Sequence, residues 1–179
     1  MKLEVTTENY AAIVVELDTF VNLPKMNTIK HAIIFNNSVI ISKDAVKGEI
    51  GLFFPAETCL DPEFLKHNNL YRKAEWGNVN PDKTGFFELH GRVRTCKFQK
   101  FLSEGFYMPI SCLDYLGLDL STLSVGDTFN LLNGTPICKK YTVPKKESTQ
   151  PNKQKAAKKH SRLVDNQFRF HFDTSLRVA

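Results

Sequence analysis

The sequence predicts a mainly β protein, a small barrel-like domain with short helices and a basic C-terminal linker. Three observations support this fold class: several short apolar runs bounded by turn residues, helix signals that cover only one or two turns, and a change to a basic, polar composition after residue 138. Many short strands without long helices between them are typical of all-β barrels and sandwiches.

The first half of the chain contains three strand signals. Residues 10–17 begin to alternate in polarity, which predicts a strand with its odd-numbered face, Ala11 to Leu17, buried. Two β-rich runs within residues 31–41 flank an Asn-Asn-Ser sequence and predict a hairpin. Residues 48–55 form a short apolar run that ends at a proline, which predicts a further strand.

A short helix and a long loop follow. Asp61 before Pro62 is a favourable helix start, because the aspartate can cap the first turn and proline suits the first helical position, so a helix is expected over residues 61–67. Residues 74–85 are rich in turn formers and predict a loop.

The strand predicted over residues 86–98 carries the strongest pattern. Leu89 and Val93 fall on one face, and Arg92 and Arg94 fall on the other with two further polar residues. The alternation breaks near residue 95, which indicates a bulge or strand end. A strand at 105–109, a helical turn at 111–116 and a hairpin around Asn133-Gly134 complete the expected domain.

The positive charge of the chain is confined to its C-terminal quarter. Residues 1–138 hold 13 basic and 16 acidic residues, a net charge of −3, whereas residues 139–179 hold 11 basic and 3 acidic residues, a net charge of +8. This distribution excludes a uniformly basic, histone-like protein. We therefore expect a domain over 1–138, a basic flexible linker over 139–163, and the start of a further unit over 164–179, where phenylalanines alternate with polar residues.

Cysteine spacing and hydropathy exclude several other classes. The four cysteines, at 59, 96, 112 and 138, include no Cys-x-x-Cys pair, so we expect reduced thiols with neither a zinc site nor a disulfide framework. The sequence has no apolar run of membrane-spanning length, and its first ten residues do not read as a secretory signal. These features favour a cytoplasmic location and no membrane partner.

The ordered set of four stretches resembles the N-terminal OB-fold region of ATP-dependent RNA ligases, in which an OB-like domain precedes the nucleotidyltransferase domain. The stretches are residues 51–58, residues 68–72, residues 91–94 continuing through 103–109, and residues 125–127 with 137–141. Residues 168–174 resemble the segment that leads into the catalytic domain of such ligases. The resemblance implies an OB-fold-like barrel that binds RNA, either a nicked duplex or a broken strand, and partners its own downstream nucleotidyltransferase domain.

The resemblance also implies ATP and Mg²⁺ as cofactors of the full-length ligase, although we expect none in this chain. Covalent nucleotidyltransferases use a lysine nucleophile within a Lys-x-[Asp/His/Glu/Asn]-Gly motif. No lysine of residues 1–179 fits that motif: Lys47 and Lys73 have an acid at the third position but no glycine after it. We expect the chain to stop just before the catalytic domain and to contain no catalytic residue.

Candidate RNA-binding residues follow from charge, aromatic character and position. Arginines on one strand face can contact phosphates, and an exposed tyrosine can stack on a base. A solvated outer face with paired charges is the alternative for Arg92 and Arg94, and a self-repelling linker is the alternative for the basic tail. The candidates in the domain are Arg92, Arg94, Lys97, Lys100, Tyr71 and Arg72, and those in the linker are Lys139, Lys140, Lys153, Lys155, Lys158 and Lys159.

Two further hypotheses remain open at this stage. The chain could be a stand-alone nucleic-acid-binding protein, or a protein-interaction module in which the β domain binds a partner and the tail only tethers. The sequence favours the ligase domain, because the last residues carry no obvious terminator after the alternating phenylalanines.

Overall fold

The computed structural model describes residues 1–23, 26, 28–98 and 100–143. Its one α-helix in this part of the chain is α1, Pro62–His67, and short 3₁₀ helices cover Glu8–Tyr10, Ala74–Trp76, Ile110–Leu116 and Leu120–Thr122. The strands are β1 (Leu3–Glu4), β2 (Ala12–Glu16), β3 (Phe20–Asn22), β4 (Ile29–Ile34), β5 (Asn37–Ser42), β6 (Ile50–Pro55), β7 (Thr58–Leu60), β8 (Cys96–Phe98), β9 (Phe101–Ser103), β10 (Gly105–Pro109), β11 (Thr128–Phe129), β12 (Leu131–Leu132), β13 (Thr135–Pro136) and β14 (Cys138–Lys140).

The predicted mainly β class is confirmed, and the strands pair in small antiparallel sheets. The largest sheet has the order β10–β6–β2–β11, and the others are β3–β4–β5, β1–β12–β13, β14–β7 and β8–β9. The hydrogen-bonded ladders of the described residues do not close into a barrel. The strands and short helices belong to one folded unit, Met1–Thr142.

Strand β2 lies at the centre of the core and is buried on both faces. Ala12 and Val14 pack into the larger apolar cluster, which also holds Phe54 and Phe64, whereas Val15 packs into a second cluster under β4 and β5. The prediction of a single buried odd-numbered face was therefore wrong. β6 and β11 pair with the two edges of β2, and the two apolar clusters cover its two faces.

The hairpin predicted within residues 31–41 is present as β4 and β5, but its turn lies at Phe35-Asn36. Both residues have positive φ, 48° and 64°. Two-residue hairpins favour this geometry because it matches the twist of the strands. Asn37 then supports the turn by donating from its side-chain amide to the carbonyls of Ile34 and Phe35.

The short helix α1 forms as the sequence predicts. The Asp61 carboxylate accepts a hydrogen bond from the Glu63 backbone N–H at 2.9 Å, and Pro62 occupies the first helical position. The helix buries Phe64 and Leu65 in the larger cluster, so one apolar turn anchors it to the sheet. No helix among the described residues is both long and apolar enough to cross a lipid bilayer.

The side chain of Asn130 joins the two ends of the folded unit. It is fully buried, and its carbonyl oxygen accepts from the backbone N–H groups of Thr6 (2.8 Å) and Thr7 (3.0 Å). Its amide donates to the carbonyls of Tyr10 (3.0 Å) and Cys138 (3.3 Å). One side chain thus satisfies backbone groups that are more than a hundred residues apart in sequence.

Replacing Asn130 with alanine should destabilise the unit by about 2–4 kcal/mol, because several backbone polar groups would lose their partner in a buried site. Urea unfolding of the full chain measures the change. The matched control is Asn22→Ala on the exposed strand β3, which should cost less than about 0.5 kcal/mol. Equal costs at the two positions would contradict this role for Asn130.

Candidate nucleic-acid interface

A groove of about 510 Å³ opens between β5, β10 and the segment from Phe86 to Arg94. Three arginines that lie apart in the sequence line it together: Arg72, Arg92 and Arg94. Its other walls are mainly apolar and include Phe86 and Phe106. The structure therefore places three of the sequence-predicted site residues around one concavity.

The backbone of residues 86–94 reaches this position through two short pairings and a turn, not through a continuous strand. The first pairing lies beside Tyr71, where Phe87 forms a parallel bridge. After a turn at Gly91, the second lies beside β7, where Arg92 forms an antiparallel bridge to Cys59. The prediction of one strand over 86–98 was wrong, and only its end forms a strand, β8.

The turn at Gly91 explains the break. Gly91 has φ +61°, and a Cβ built there would lie 2.7 Å from both the Leu60 carbonyl oxygen and Leu65 Cδ1. The backbone at position 91 passes so close to α1 and β7 that only glycine fits there. As a result, Leu89 is 55% exposed while Val93 is buried, so the two do not share a face.

Arg92 is held in place by two contacts. Its guanidinium donates to Glu57 Oε1 at 2.7 Å, which also raises the pKa of the arginine, and it lies 4.5 Å from the centroid of the Tyr141 ring. The Tyr141 backbone N–H in turn donates to the Glu57 carbonyl at 2.9 Å. Arg92 therefore links the groove to the residues that follow β14.

The other two arginines differ in their partners. Arg72 pairs with Glu88 at 2.9 Å, where the Arg72 side chain is 61% exposed and the Glu88 side chain 38% exposed. Arg94 is exposed, and no carboxylate of the described residues lies within ion-pair distance of it. Exposed pairs of the Arg72–Glu88 kind contribute at most about 1 kcal/mol, so an anionic ligand can replace the carboxylate at little cost.

Lys97 and Lys100 lie on the hairpin formed by β8 and β9, at the side of the groove. Lys97 opposes Leu102 in the ladder, and Lys100 lies in the turn. Both are exposed, but neither lines the groove. Their proposed contact with RNA stays a prediction.

Tyr71 is a core residue, and its assignment as a stacking platform was wrong. It is 2% exposed and packs edge-on against Trp76, with ring centroids 6.4 Å apart. Asn78 fixes its backbone by accepting from the Tyr71 N–H and donating to its carbonyl, both at 3.1 Å. The polar neighbours in the sequence concealed this burial, because the loop folds back over the ring.

Lys139 and Lys140 lie in β14 and not in a linker, which corrects the boundary expected at residue 138. Lys139 opposes Cys59 of β7, and Cys59 opposes Arg92 on its other side. Directly opposed residues point to the same face of a sheet, so Lys139, Cys59 and Arg92 form one row across three segments. Lys140 lies over the Tyr10 ring at 4.9 Å. Lys153, Lys155, Lys158 and Lys159, and the predicted unit at 164–179, lie outside the described residues.

Sequence reasoning did not single out Phe86 as a site residue. It is 56% exposed, yet its ring lies 4.7 Å from that of Phe87 and 5.4 Å from that of Phe106. The adjacent Phe86 and Phe87 were the available signal, but the alternation expected of extended backbone does not hold here, because the two rings lie side by side. Phe87 and Phe106 are buried, so Phe86 is the one that faces out.

The described residues do not form a metal site. No three side chains among their His, Cys, Asp and Glu come close enough to hold an ion. The residues present therefore do not fit the Mg²⁺ that the resemblance implies for a ligase, and we assign no step through it to this part of the chain.

No protein-family model matches this sequence, and no curated protein sequence matches it. Solved structures of Naegleria gruberi RNA ligase do match its fold. A lysine-to-alanine mutant with ATP and Mn has a TM-score of 0.52 at 15% identity, covering 80% of this chain and 37% of that chain. A glutamate-to-alanine mutant with ATP and Mn also has a TM-score of 0.52, at 19% identity, covering 74% of this chain and 36% of that one.

The ligase with PPi gives a TM-score of 0.50 at 16% identity, covering 74% of this chain and 35% of that chain. This chain thus spans little more than a third of the length of the ligase chains that it matches. The similarity shows that the chain shares the fold of one part of this RNA ligase. The resemblance to RNA ligases that the sequence indicates is supported to that extent.

Gly91→Ala should destabilise the unit by about 2 kcal/mol or more, because a side chain there meets backbone and adds to the strain of a positive φ. Gly117→Ala is the matched control: Gly117 has φ +64°, but nothing lies within 4 Å of its added Cβ. It should cost about 1 kcal/mol from backbone strain alone. Thermal or urea unfolding of both variants measures the difference, and a cheaper change at Gly91 than at Gly117 would contradict the packing described here.

Proposed function

We propose that this chain is the non-catalytic, OB-fold RNA-binding domain of an ATP-dependent RNA ligase. The full enzyme seals breaks between 3′-hydroxyl and 5′-phosphate ends. This domain positions the nicked strand for a downstream nucleotidyltransferase domain, which carries ATP and Mg²⁺ and acts in the cytoplasm. The fold shared with part of an RNA ligase supports the proposal.

The observation that carries the proposal is the groove lined by Arg72, Arg92 and Arg94. Guanidinium groups bind phosphates in a bidentate manner and remain charged at every physiological pH. Among the residues that the structure describes, Glu88 is the one carboxylate that lines the groove with them, and Glu57 pairs with Arg92 from outside the lining. A polyanion therefore has a locally cationic surface to bind, although residues 1–138 carry a net charge of −3.

A second set of basic groups extends this surface. Lys139 lies in the same row as Arg92, two strand spacings away, which is roughly 10 Å. Lys97 and Lys100 project from the β8–β9 hairpin next to Arg94 in the sequence. The proposed path of the RNA backbone runs from the groove towards these groups, and the basic residues after 143 add contacts that carry no sequence information.

Arg94→Ala should weaken binding of a single-stranded RNA by about 1 kcal/mol, or roughly fivefold, because it removes a phosphate contact without breaking an ion pair in the free protein. It should also reduce the slope of log K against log salt by about 0.7. Fluorescence anisotropy with the full chain at several salt concentrations measures both quantities.

Two controls define this result. Arg94→Lys keeps the charge and should keep the salt slope, and Lys2→Ala removes an exposed cation just before β1 that pairs with Glu4. Lys2→Ala should leave affinity unchanged. Arg92→Ala is the poorer probe, since it also frees Glu57 and Tyr141. If deletion of 144–179 abolished RNA binding while Arg92→Ala/Arg94→Ala left it unchanged, a protein-interaction role for the folded unit would replace this proposal.

Residues 1–179 alone should not become covalently labelled by radioactive ATP and Mg²⁺, because no lysine lies in the motif that such attack requires. Denaturing electrophoresis after incubation measures the label. A full-length ligase of this fold serves as the positive control for the reaction. Covalent labelling of residues 1–179 would contradict the non-catalytic assignment.

A further inference from the structure

The ring of Phe86 is an exposed aromatic surface that the fold holds in a fixed orientation. Its contacts with Phe87 (tilted by 31°) and Phe106 (interplanar angle 79°) restrain the ring from one side. More than half of the residue nevertheless remains open to solvent. Such a ring offers a ready stacking surface, since little side-chain entropy is left to lose on binding.

The groove beside this ring suits a small planar group. Its walls are mainly apolar and include Ile40, Met108 and Phe98, the last of which is also partly exposed. Its volume of about 510 Å³ falls within the range of sites that enclose small organic ligands. A duplex does not enter a concavity of this size, whereas a single base does.

The charge at the rim selects an anion. Three guanidinium groups line the groove, Glu88 pairs with Arg72 and Glu57 with Arg92, and Arg94 forms no ion pair among the described residues. A stacking surface, an apolar concavity and a cationic rim together match the three parts of a nucleotide: base, sugar and phosphate.

We infer that the groove holds one unpaired nucleotide of the RNA strand, with its base stacked on Phe86 and its flanking phosphates at Arg94 and Arg72. This inference rests on the proposed RNA-binding function and adds the conformation that the RNA adopts. A base stacked on Phe86 inside the groove has its edges turned away from a complementary strand. The domain thus binds RNA that is frayed, looped or broken at this nucleotide.

The test uses the full 179-residue chain and a 12-nucleotide unstructured RNA that carries one 2-aminopurine. Anisotropy gives the affinity, and 2-aminopurine fluorescence reports whether a base stacks on the protein. The variants are Phe86→Ala and the conservative Phe86→Tyr. The matched control is Phe35→Ala, which removes another exposed ring, 61% open, at the tip of the β4–β5 hairpin and outside the groove lining.

The inference expects Phe86→Ala to weaken binding roughly five- to a hundredfold, the effect of losing one stacked base. Phe86→Tyr and Phe35→Ala should stay within about twofold of the wild type, because tyrosine also stacks and Phe35 lies elsewhere. At saturating protein, the 2-aminopurine signal should change with the wild type and not with Phe86→Ala. Circular dichroism confirms that each variant is folded, and the signal at saturation is independent of small losses in stability.

Three results would overturn the inference. Binding of Phe86→Ala with the wild-type affinity and the wild-type 2-aminopurine signal would rule out the stacked base and leave the proposed RNA-binding function intact. A blunt 12-base-pair RNA duplex that bound as tightly as the single strand would exclude an unpaired nucleotide. Free AMP that bound as tightly as the RNA would make the groove a mononucleotide site. Absence of RNA binding by the wild type would overturn the proposed function itself.

Discussion

The buried side chain of Asn130 is the contact on which the candidate interface depends. It satisfies backbone groups of the N-terminal segment and of Cys138 at once, so it fixes where β14 begins. From there, pairing with β7 places Lys139 opposite Cys59, which in turn lies opposite Arg92. The basic row across these segments is thus a consequence of an internal polar contact, made by a residue with no charge of its own. A buried amide that is fully hydrogen-bonded specifies such an arrangement because misplacing it leaves several polar groups unsatisfied.

The groove combines an apolar interior with charges that are restrained but accessible. Glu57 and Tyr141 hold Arg92, and Glu88 holds Arg72, so these guanidinium groups are positioned before any ligand arrives. Because the ion pairs are near solvent, they contribute little to stability and yield readily to a phosphate. Arg94 needs no such exchange. Two ion-paired arginines and one arginine without an ion pair in the described part of the chain thus give a folded unit with a slight negative charge a local anion-binding surface.

Local signals in the sequence predicted the elements that local chemistry determines. Asp61-Pro62 set the start of α1, and Asn133-Gly134, both with positive φ, form the turn between β12 and β13. Tertiary contacts determined the other elements. The backbone turns at Gly91, where Leu60 and Leu65 leave no room for a side chain. The basic sequence Lys139-Lys140 has linker composition, but β7 gives it a strand partner. The pattern still placed Arg92 and Arg94 on one side, and both line the groove, whereas Phe86 emerged only once its two aromatic neighbours were seen to be buried.

The most direct test of RNA binding in this groove uses a cysteine already there. Cys96 is exposed and lines the groove. Cys112 and Cys138 are buried. Cys59 is half-buried, and this burial raises the pKa of its thiol. Alkylation requires an accessible thiolate, so Cys96 should react first with iodoacetamide. The measurement is its alkylation rate, followed by mass spectrometry, as single-stranded RNA is titrated into the full chain. The account predicts that the rate falls in proportion to the bound fraction of protein. An unchanged rate at Cys96 while the protein is saturated with RNA would show that the RNA binds elsewhere and would contradict the account.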